Sequence, residues 1–441
     1  MMHFRIVICL LAFLFTGLYV KAKTYPVNNA AEINRLVLLP GDTVLMLGTS
    51  WKDAQINFKG TGTEAKPVVL MAGQPGKLIL SGNSNLKIDG HWLVVNGLYF
   101  TNGYSLNDDV IIFSKTASHC RLTNTAIVNY NPPDKKTDYK WVSLYGSYNS
   151  VDHCELTGKE HQGTTLVVWL SDTPNHHIIQ NNYFGPRPPL GANGGESIRI
   201  GTSEWSMHDS YTLVQQNIFD RCDGEIEVIS VKSCHNRIGE NLFYECDGTV
   251  TLRHGNDNTV DSNYFIGNDQ PNTGGIRIIG ERHTVAGNYL YKTTGTDLRA
   301  AISIMNTFKD PKLNEYWQVK DAVIENNYII HCKNAFVIGA GKNDKRTVAP
   351  ESITIKNNYI VMPQLLLDKK EKPLNSLITG NKVLGTPGMD GFTTVKNKSL
   401  QINKYGIWVL PENKRIPFWL RTTVGPQWKK ALPVFTIRSG K

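Results

Sequence analysis

Several features that often reveal function are scarce in this 441-residue sequence. Cysteine occurs only seven times and never as CxxC, so the closely paired ligands of a structural zinc site are missing. Only one long apolar run is present, near the N-terminus, and no helical leucine-rich periodicity follows it. Charged residues make up 19% of the chain and are spread along it, which excludes a charged tail. With 41% hydrophobic residues, the composition is that of a folded chain rather than a disordered one.

The net charge of +9 is the first feature that points to a partner. It suits three kinds of anionic partner: nucleic acid, a membrane surface or an acidic polysaccharide. Composition alone does not choose among the three. The length by itself suggests two or three globular domains.

The N-terminus has the pattern of a secretory signal peptide. A short basic segment, an apolar run over residues 6–20 and the sequence Val20-Lys21-Ala22 predict cleavage after residue 22. A membrane anchor is the weaker interpretation, because the run is short for a bilayer and no second one follows. Removing residues 1–22 takes away two basic residues and no acidic one, which leaves +7. We therefore expect a secreted or periplasmic protein whose mature chain is 23–441, without membrane insertion.

The cysteines of the mature chain are even in number, which permits disulfides in an exported protein. A chain of this length does not need them, so we expect mostly free, buried thiols. A contact between Cys222 and Cys246 is the first pairing to test. The six cysteines are Cys120, Cys154, Cys222, Cys234, Cys246 and Cys332.

An internal repeat organises the middle of the chain. An Asn followed by two aromatic or aliphatic residues recurs, with successive gaps of 35, 24, 22, 25, 39 and 31 residues. The short gaps indicate a bare repeat, and the long gaps indicate the same repeat carrying a loop. We interpret the Asn side chains as a ladder at a turn that satisfies backbone groups in every coil. The series comprises Asn182, Asn217, Asn241, Asn263, Asn288, Asn327 and Asn358, with Asn96 and Asn124 as weaker members.

Short segments rich in β-branched residues and bounded by glycine lie between these asparagines, and they predict strands. Several short strands per repeat favour a parallel β-helix over a propeller, whose blades need longer and more even repeats. We therefore predict an all-β fold: a single right-handed parallel β-helix rather than several globules. Residues 28–36 predict a short helix that caps the first coil. Residues from about 365 to 441 lose the repeat and predict an irregular C-terminal cap, with room to wrap back along the side.

Alternation within four strand segments predicts which residues face out. We expect inward-facing apolar pairs at Ile198/Ile200, Ile226/Val228, Val250/Leu252 and Ile276/Ile278. The residues that then face out on one surface are Ser197, Arg199, Glu225, Glu227, Thr249, Thr251, Gly275 and Arg277.

Glu225 and Glu227 project the same way under this prediction. Two like charges so close are unfavourable unless a cation lies between them, and oxygen ligands suit calcium. An acidic stripe in solvent, balanced by Arg199, is the alternative. Lys232 follows in the same coil, and Arg253 comes 21 residues later, about one repeat on. The spacing can bring these two cations side by side near the carboxylates.

Three blocks in this region resemble the signature blocks of polysaccharide lyase family 6. They are NGGESIRIG (193–201), CDGEIEVISVKS (222–233) and TLRHG (251–255), and the segments 40–47 and 77–103 resemble the family too. The family contains alginate lyases and the dermatan-sulfate-cleaving chondroitinase B. The resemblance implies a right-handed parallel β-helix and calcium-assisted β-elimination on an anionic polysaccharide.

The resemblance also implies roles for individual residues. Lys232 resembles the catalytic base of the family and Arg253 its catalytic acid. The residues that resemble its calcium ligands are Asn193, Glu225 and Glu227. The residues that resemble its substrate contacts are Arg187, Arg199 and His254, to which we add Arg277 as a spatial neighbour.

The expected function is therefore that of a secreted alginate lyase that releases unsaturated oligosaccharides. Dermatan sulfate is the alternative substrate, and a non-catalytic β-helical polysaccharide-binding protein is the alternative without turnover. A β-helical glycoside hydrolase would need two acids flanking the bond, which Glu225 and Glu227 could supply. The neighbouring Lys232 and Arg253 suit elimination better. Export and this group of residues favour an acidic polysaccharide over nucleic acid.

Overall fold

Short strands stack in three long sheets in the computed structural model, which describes residues 21–396, 401–409, 416–429, 433 and 435–437. The predicted signal peptide therefore falls outside the described residues, apart from its last two positions. Every neighbouring pair of strands within the three long sheets is parallel, and each coil of the chain contributes about one strand to each sheet. This arrangement confirms the predicted all-β parallel β-helix.

We call the three long sheets A, B and C, with strands given in spatial order. The 14 strands of sheet A are Thr24–Val27, Thr43–Met46, Val68–Ala72, Leu93–Asn96, Arg121–Thr123, Ser150–Asp152, Ile178–Gln180, Leu213–Gln215, Arg237–Gly239, Thr259–Asp261, Thr284–Ala286, Val323–Glu325, Thr354–Lys356 and Leu377–Thr379. The 14 strands of sheet B are Ser50–Lys52, Ile79–Gly82, Tyr99–Gly103, Ala126–Val128, Glu155–Thr157, Tyr183–Phe184, Ile218–Asp220, Leu242–Tyr244, Tyr264–Ile266, Tyr289–Tyr291, Tyr328–Ile330, Tyr359–Val361, Asn381–Leu384 and Phe392–Thr394. The 12 strands of sheet C are Gln55–Thr61, Asn85–His91, Ile111–Phe113, Val142–Leu144, Leu166–Val168, Ile198–Ile200, Glu227–Lys232, Thr249–His254, Ile276–Ile278, Ile302–Met305, Asn334–Ala340 and Leu365–Lys369.

The described residues contain little other regular structure. Two antiparallel pairs join Thr307–Phe308 to Arg346–Val348 and Gln401–Ile402 to Trp408–Val409. The helical elements are one α-helix, Ala30–Ile33, and three 3-10 turns, Ser203–Trp205, Asp297–Arg299 and Phe418–Leu420. Among the described residues, no helix is long and apolar enough to cross a bilayer.

The predicted N-terminal helix is present but shorter than residues 28–36. Asn29 caps it by accepting a hydrogen bond from the Glu32 amide at 3.0 Å. Just after the helix, the Asn34 side chain donates to the Gln55 carbonyl at 3.0 Å and accepts from the Asn57 amide at 2.8 Å. Because the strand that contains these two residues is the outermost strand of sheet C, Asn34 satisfies backbone groups at its open edge.

The predicted asparagine ladder is confirmed. From Asn217 onward, the Oδ1 of each ladder Asn accepts hydrogen bonds from both the backbone amide and the Nδ2 of the ladder Asn one coil earlier, at 2.9–3.0 Å. The ladder runs from Asn182 through Asn358 and continues to Asn381, which the sequence pattern missed because Lys382 follows it. Asn96 and Asn124 lie outside it, and Cys154 donates its backbone amide to Asn182 instead.

The two apolar residues that follow most of the ladder asparagines are buried on opposite faces of sheet B. The second residue after each Asn faces the interior, where Phe184, Phe219, Phe243 and Phe265 stack with ring centroids 4.6–4.8 Å apart. The first residue faces outward into a second buried apolar cluster. We call the described residues between 401 and 437 the C-terminal strap, because they cover this outer face.

The interior also holds the cysteines. All six are free and buried, as predicted, and the backbone amide of Cys222 lies 3.4 Å from the Cys246 sulfur.

Candidate active site

Sheet C brings the predicted site residues onto neighbouring strands. Lys232 ends the strand Glu227–Lys232, and Arg253 and His254 end the next strand, Thr249–His254. Arg199 lies on the strand before this pair and Arg277 on the strand after it.

The register of the Glu227 strand differs from the prediction. Ile229 and Val231, not Ile226 and Val228, pair with Ile198 and Ile200. Ser230 therefore takes the outward position beside Arg199. The sequence reads Glu-Ile-Glu-Val-Ile-Ser-Val, so alternation changes phase at the two consecutive apolar residues.

Two irregularities account for the change of phase and shape the site. Glu227 and Ile229 pair with the successive residues Thr249 and Val250, which leaves Val228 as an extra residue. Further along, Val231 pairs with Leu252 and Lys232 pairs with His254, which leaves Arg253 as an extra residue on the other strand. Bulges of this kind redirect side chains and are common beside active sites.

Glu227 is the buried centre of the charge network. Its Oε1 accepts from Arg253 Nη1 at 2.9 Å and also from Arg277 Nη2, and its Oε2 accepts from Ser230 Oγ. Burial alone would raise the pKa of this carboxyl, but Arg277 and Arg253 outweigh burial and lower the pKa to about 2. Glu227 therefore stays ionised.

Glu225 has the opposite balance. Burial, together with repulsion from Glu196 and Glu227, raises the pKa of Glu225 to about 8. Glu196 is 4% exposed and accepts a hydrogen bond from Thr164 Oγ1 at 3.2 Å. The sequence analysis missed Glu196 as a member of this acidic group, although it lies within the block NGGESIRIG.

Lys232 lies beside these acids. Burial lowers its pKa, Arg199 and Arg253 lower it further, and Glu196 and Glu227 oppose them. A lysine of lowered pKa is neutral in a larger fraction of molecules and can accept a proton.

Arg253 and His254 differ in charge. Burial acts to lower the pKa of Arg253, but Glu227 and Tyr316 outweigh it, so the pKa is raised. Burial, aided by Arg253, lowers the pKa of His254 to about 4. His254 Nε2 lies 3.4 Å from Ser203 Oγ, and the side chain is buried. At neutral pH the site therefore holds a cationic Arg253 and a neutral His254.

The structure does not place Arg187 and Arg277 on the exposed surface where the sequence analysis expected them. Arg187 is 3% exposed, and its guanidinium donates to Thr165 Oγ1 and to the carbonyls of four loop residues at 2.8–3.2 Å. Arg277 is 2% exposed and pairs with Glu227 beneath the site. Arg187 therefore fixes loops, and Arg277 holds the carboxylate that pairs with Arg253.

Arg199 is half-buried, as a group within reach of a ligand should be. Its Cζ lies 5.3 Å from the centroid of the Trp169 ring, and Trp169 stacks on Tyr145 at 5.5 Å. The two rings continue the site along sheet C. Asn193 lies in an exposed loop before the strand Ile198–Ile200. Within the described ranges, no three His, Cys, Asp or Glu side chains form a group that could hold a metal ion.

Tyr316 is another residue that the sequence analysis missed. Its ring centroid lies 4.9 Å from Arg253 Cζ and 6.0 Å from Arg346 Cζ. The residue belongs to the segment that lengthens the repeat between Asn288 and Asn327, where no repeat signal marks it.

Lysine, arginine and glutamate side chains thus converge at one sheet of a parallel β-helix. The chain matches the family model described as Chondroitinase B over residues 27–407. It therefore belongs to the chondroitinase B family, polysaccharide lyase family 6.

Solved structures of family members resemble the whole described β-helix. The family 6 alginate lyase AlyGC is 37% identical with a TM-score of 0.84, over 92% of this chain and 57% of AlyGC. A mannuronic acid specific family 6 lyase from human gut microbiota is 31% identical with a TM-score of 0.78, over 92% of this chain and 97% of that lyase. Pedsa3628 from Pseudopedobacter saltans is 29% identical with a TM-score of 0.74, over 92% and 100%. This chain thus spans little more than half the length of AlyGC, and no curated protein matches it.

Proposed function

We propose that this protein is a lyase that cleaves 4-linked uronic acid polymers by β-elimination, with alginate as the expected substrate. The observation that carries the proposal is Lys232, whose pKa is lowered, beside the cationic Arg253 on the outward face of sheet C. The alginate lyase AlyGC and the mannuronic acid specific lyase among the similar structures support the choice of substrate.

In the proposed reaction, neutral Lys232 accepts the C5 proton of a uronate. The electron pair left at C5 forms the C4–C5 double bond while the bond from C4 to the leaving oxygen breaks. The leaving oxygen takes up a proton. The ring that lost its C5 proton carries the new double bond and is therefore the unsaturated one.

Arg253 acts as a fixed positive charge in this scheme. Because its pKa is raised, it donates a hydrogen bond to the leaving oxygen rather than giving up its own proton. Protonated Lys232 or water then supplies the proton. His254 is a poor acid here because a histidine with a pKa of about 4 is neutral at neutral pH.

We also propose that Glu225, Glu227 and Asn193 hold calcium. Their oxygen donors suit a hard cation, and Glu227 would have to bind it with a lone pair that Arg253, Arg277 and Ser230 leave open, since a carboxylate has about four such sites. A nearby cation would favour ionised Glu225, which burial and two neighbouring acids otherwise keep protonated near neutral pH. Calcium bound there would neutralise the substrate carboxylate and so make the C5 proton more acidic.

The test of activity is ultraviolet absorbance from the unsaturated product on polymannuronate, polyguluronate, mixed alginate and dermatan sulfate. We expect absorbance to rise on at least one alginate form, to fall with a chelator and to recover with added calcium. A flat trace on all four polymers would contradict the lyase proposal, and binding without turnover would support a polysaccharide-binding protein instead. Chelator-resistant activity would contradict the calcium proposal alone.

The first prediction concerns the base. Lys232→Ala should lower kcat by roughly 10²–10⁴-fold, the usual contribution of a general base, and leave the circular dichroism spectrum unchanged. Lys59→Ala is the matched control, since Lys59 is exposed on the outermost strand of sheet C. Full activity in Lys232→Ala would rule out this residue as the base.

Dermatan sulfate is the second candidate substrate, because the matching family model is that of chondroitinase B. The four-polymer comparison decides between the two. We propose export as well, on the signal-peptide pattern of residues 1–22, and N-terminal sequencing of the protein recovered outside the cytoplasm would test it.

A further inference from the structure

A hydrogen-bonded loop borders the candidate site on the side of Arg253. It connects Phe308 to the next coil, and a tight turn closes it: the Glu315 amide donates to the Lys312 carbonyl, and the Lys312 amide donates to Glu315 Oε2, both at 2.9 Å. The Trp317 indole donates to the same Lys312 carbonyl at 3.2 Å. Internal hydrogen bonds therefore give the loop a defined shape.

The loop is also tied to the β-helix. The Gly280 amide donates to the Trp317 carbonyl at 3.3 Å, and the Phe308 amide donates to the Tyr316 carbonyl at 3.3 Å. Ser206, next to the Ser203–Trp205 turn, donates its hydroxyl to the Leu313 carbonyl at 3.5 Å. These anchors on both sides fix the position of the Tyr316 ring.

That ring lies against Arg253, whose side-chain direction is not set by its strand. Arg253 is the extra residue in its bulge, so sheet alternation does not determine where its side chain points. The Arg253 side chain is 30% exposed, and its guanidinium has Glu227 as an ion-pair partner at 2.9 Å and the Tyr316 ring at 4.9 Å.

We propose that Tyr316 is a positioning residue that holds Arg253 in its pair with Glu227 through the face of its ring. The proposal rests on the proposed role of Arg253 in elimination. An aromatic face attracts a guanidinium, and the attraction strengthens where water is excluded. The ring, not the hydroxyl, is the active part, because Arg253 lies within cation–π distance of the ring centroid.

The test compares Tyr316→Phe with Tyr316→Leu. Phe keeps the ring, so its kcat should stay within about twofold of the wild type. Leu removes the ring, and kcat should fall roughly 5- to 30-fold, the range of a cation–π contact, with KM little changed. Tyr148→Leu, an exposed ring outside the site, is the matched control. Unchanged kcat in Tyr316→Leu, or an equal loss in Tyr316→Phe, would overturn the proposal.

Crystal structures of the wild type and both variants separate this inference from the proposed function. We expect the contact between Arg253 and Glu227 in the wild type and in Tyr316→Phe, and a displaced guanidinium in Tyr316→Leu. An unmoved Arg253 in Tyr316→Leu would overturn the positioning role, whatever the activity. A wild type that acts on no uronate polymer would refute the lyase function, while the displacement of Arg253 would still support the positioning by Tyr316.

Discussion

Arg187 stabilises the loops around the site, although the family resemblance suggested that it contacts substrate. Its guanidinium is buried and donates hydrogen bonds to the carbonyls of His161, Gly163, Gly194 and Glu196. Removing it would leave the Gly163 and Gly194 carbonyls without this donor, while Glu196 keeps the Thr165 amide at 3.0 Å and His161 keeps Lys159 Nζ at 3.4 Å. A buried unsatisfied polar group costs about 1–3 kcal/mol.

We therefore predict that Arg187→Leu lowers the free energy of unfolding by about 3 kcal/mol or more. Arg187→Lys should not rescue it, because an ammonium group cannot reproduce the planar fork of donors. Chemical denaturation measures both variants. Lys135→Leu is the control, since Lys135 and its partner Glu160 are both exposed and surface ion pairs contribute little. A wild-type midpoint for Arg187→Leu would contradict the assignment.

At the scale of single residues, sequence reasoning predicted which side chains lie near one another but not how deeply each is buried. Lys232, Arg253, Glu225 and Glu227 follow one another in compact blocks, so spacing was enough to bring them together. Whether an arginine such as Arg187 is buried depends on carbonyls from separate loops, and no local pattern carries that information. The strand register was wrong for a similar reason, because two alternation phases meet at Val228 and only packing against the neighbouring strands selects one.

At the scale of elements, a second ladder runs along the other corner of the coils and includes histidine. The Asn149 amide donates to His177 Nδ1 at 3.1 Å, and the Asn258 amide donates to His283 Nδ1 at 3.1 Å. Here a neutral imidazole nitrogen takes the place of an asparagine oxygen as acceptor. Burial lowers the pKa of His177 to about 3.

The use of histidine as an acceptor in this ladder predicts that the free energy of unfolding depends on pH. The folded-state pKa of His177 lies below the ordinary value of 6.5, so its contribution is complete above pH 6.5 and declines as the pH falls towards 3. Between pH 6.5 and pH 5 the loss should be about 2 kcal/mol for this group. His177→Asn keeps an acceptor that does not titrate and should flatten the stability profile by that amount.

Denaturant unfolding between pH 5 and pH 7 measures this slope. Exposed His91→Asn is the control and should retain the wild-type slope. Parallel profiles for His177→Asn and the wild type would contradict the account. The sequence analysis found the first ladder because Asn recurs before apolar pairs, but missed the second because Asn, His and Thr occupy its positions in no regular order.

At the scale of the whole molecule, the repeat was enough to predict the β-helix, because each coil buries its apolar residues only against its neighbours. The path of the C-terminal strap was not predictable in the same way. Its partners lie hundreds of residues away: the Gly425 amide donates to the Asn181 carbonyl at 2.9 Å, and the Tyr264 ring contacts Trp419 at 4.8 Å. Only the outward Tyr, Ile and Leu of the Asn motifs hint that something covers sheet B.

Trp428 connects the C-terminal strap to coils near the N-terminal end of the β-helix. Its indole donates to the Asn124 carbonyl at 2.6 Å, and its ring lies 5.7 Å from that of Tyr99. Gly76 makes room for it, since a Cβ on Gly76 would lie 2.1 Å from Trp428 Cε3. The strap thereby connects coils that do not otherwise touch.

Trp428→Ala should therefore lower the free energy of unfolding by about 2 kcal/mol, the value of burying one large apolar side chain. It should also speed proteolysis within the strap without changing kcat, because Lys232 and Arg253 lie on sheet C rather than beneath the strap. Gly76→Ala should lower the free energy of unfolding further than Trp428→Ala does, because Gly76 has a φ of +73° and an alanine there is strained besides displacing the Trp428 ring. The double variant should be little worse than Gly76→Ala, since the contact is lost only once. Gln427→Ala, an exposed neighbour, is the control. Full additivity of the two changes would show that Gly76 and Trp428 act independently, and wild-type stability of Trp428→Ala would show that the strap is not held at this point.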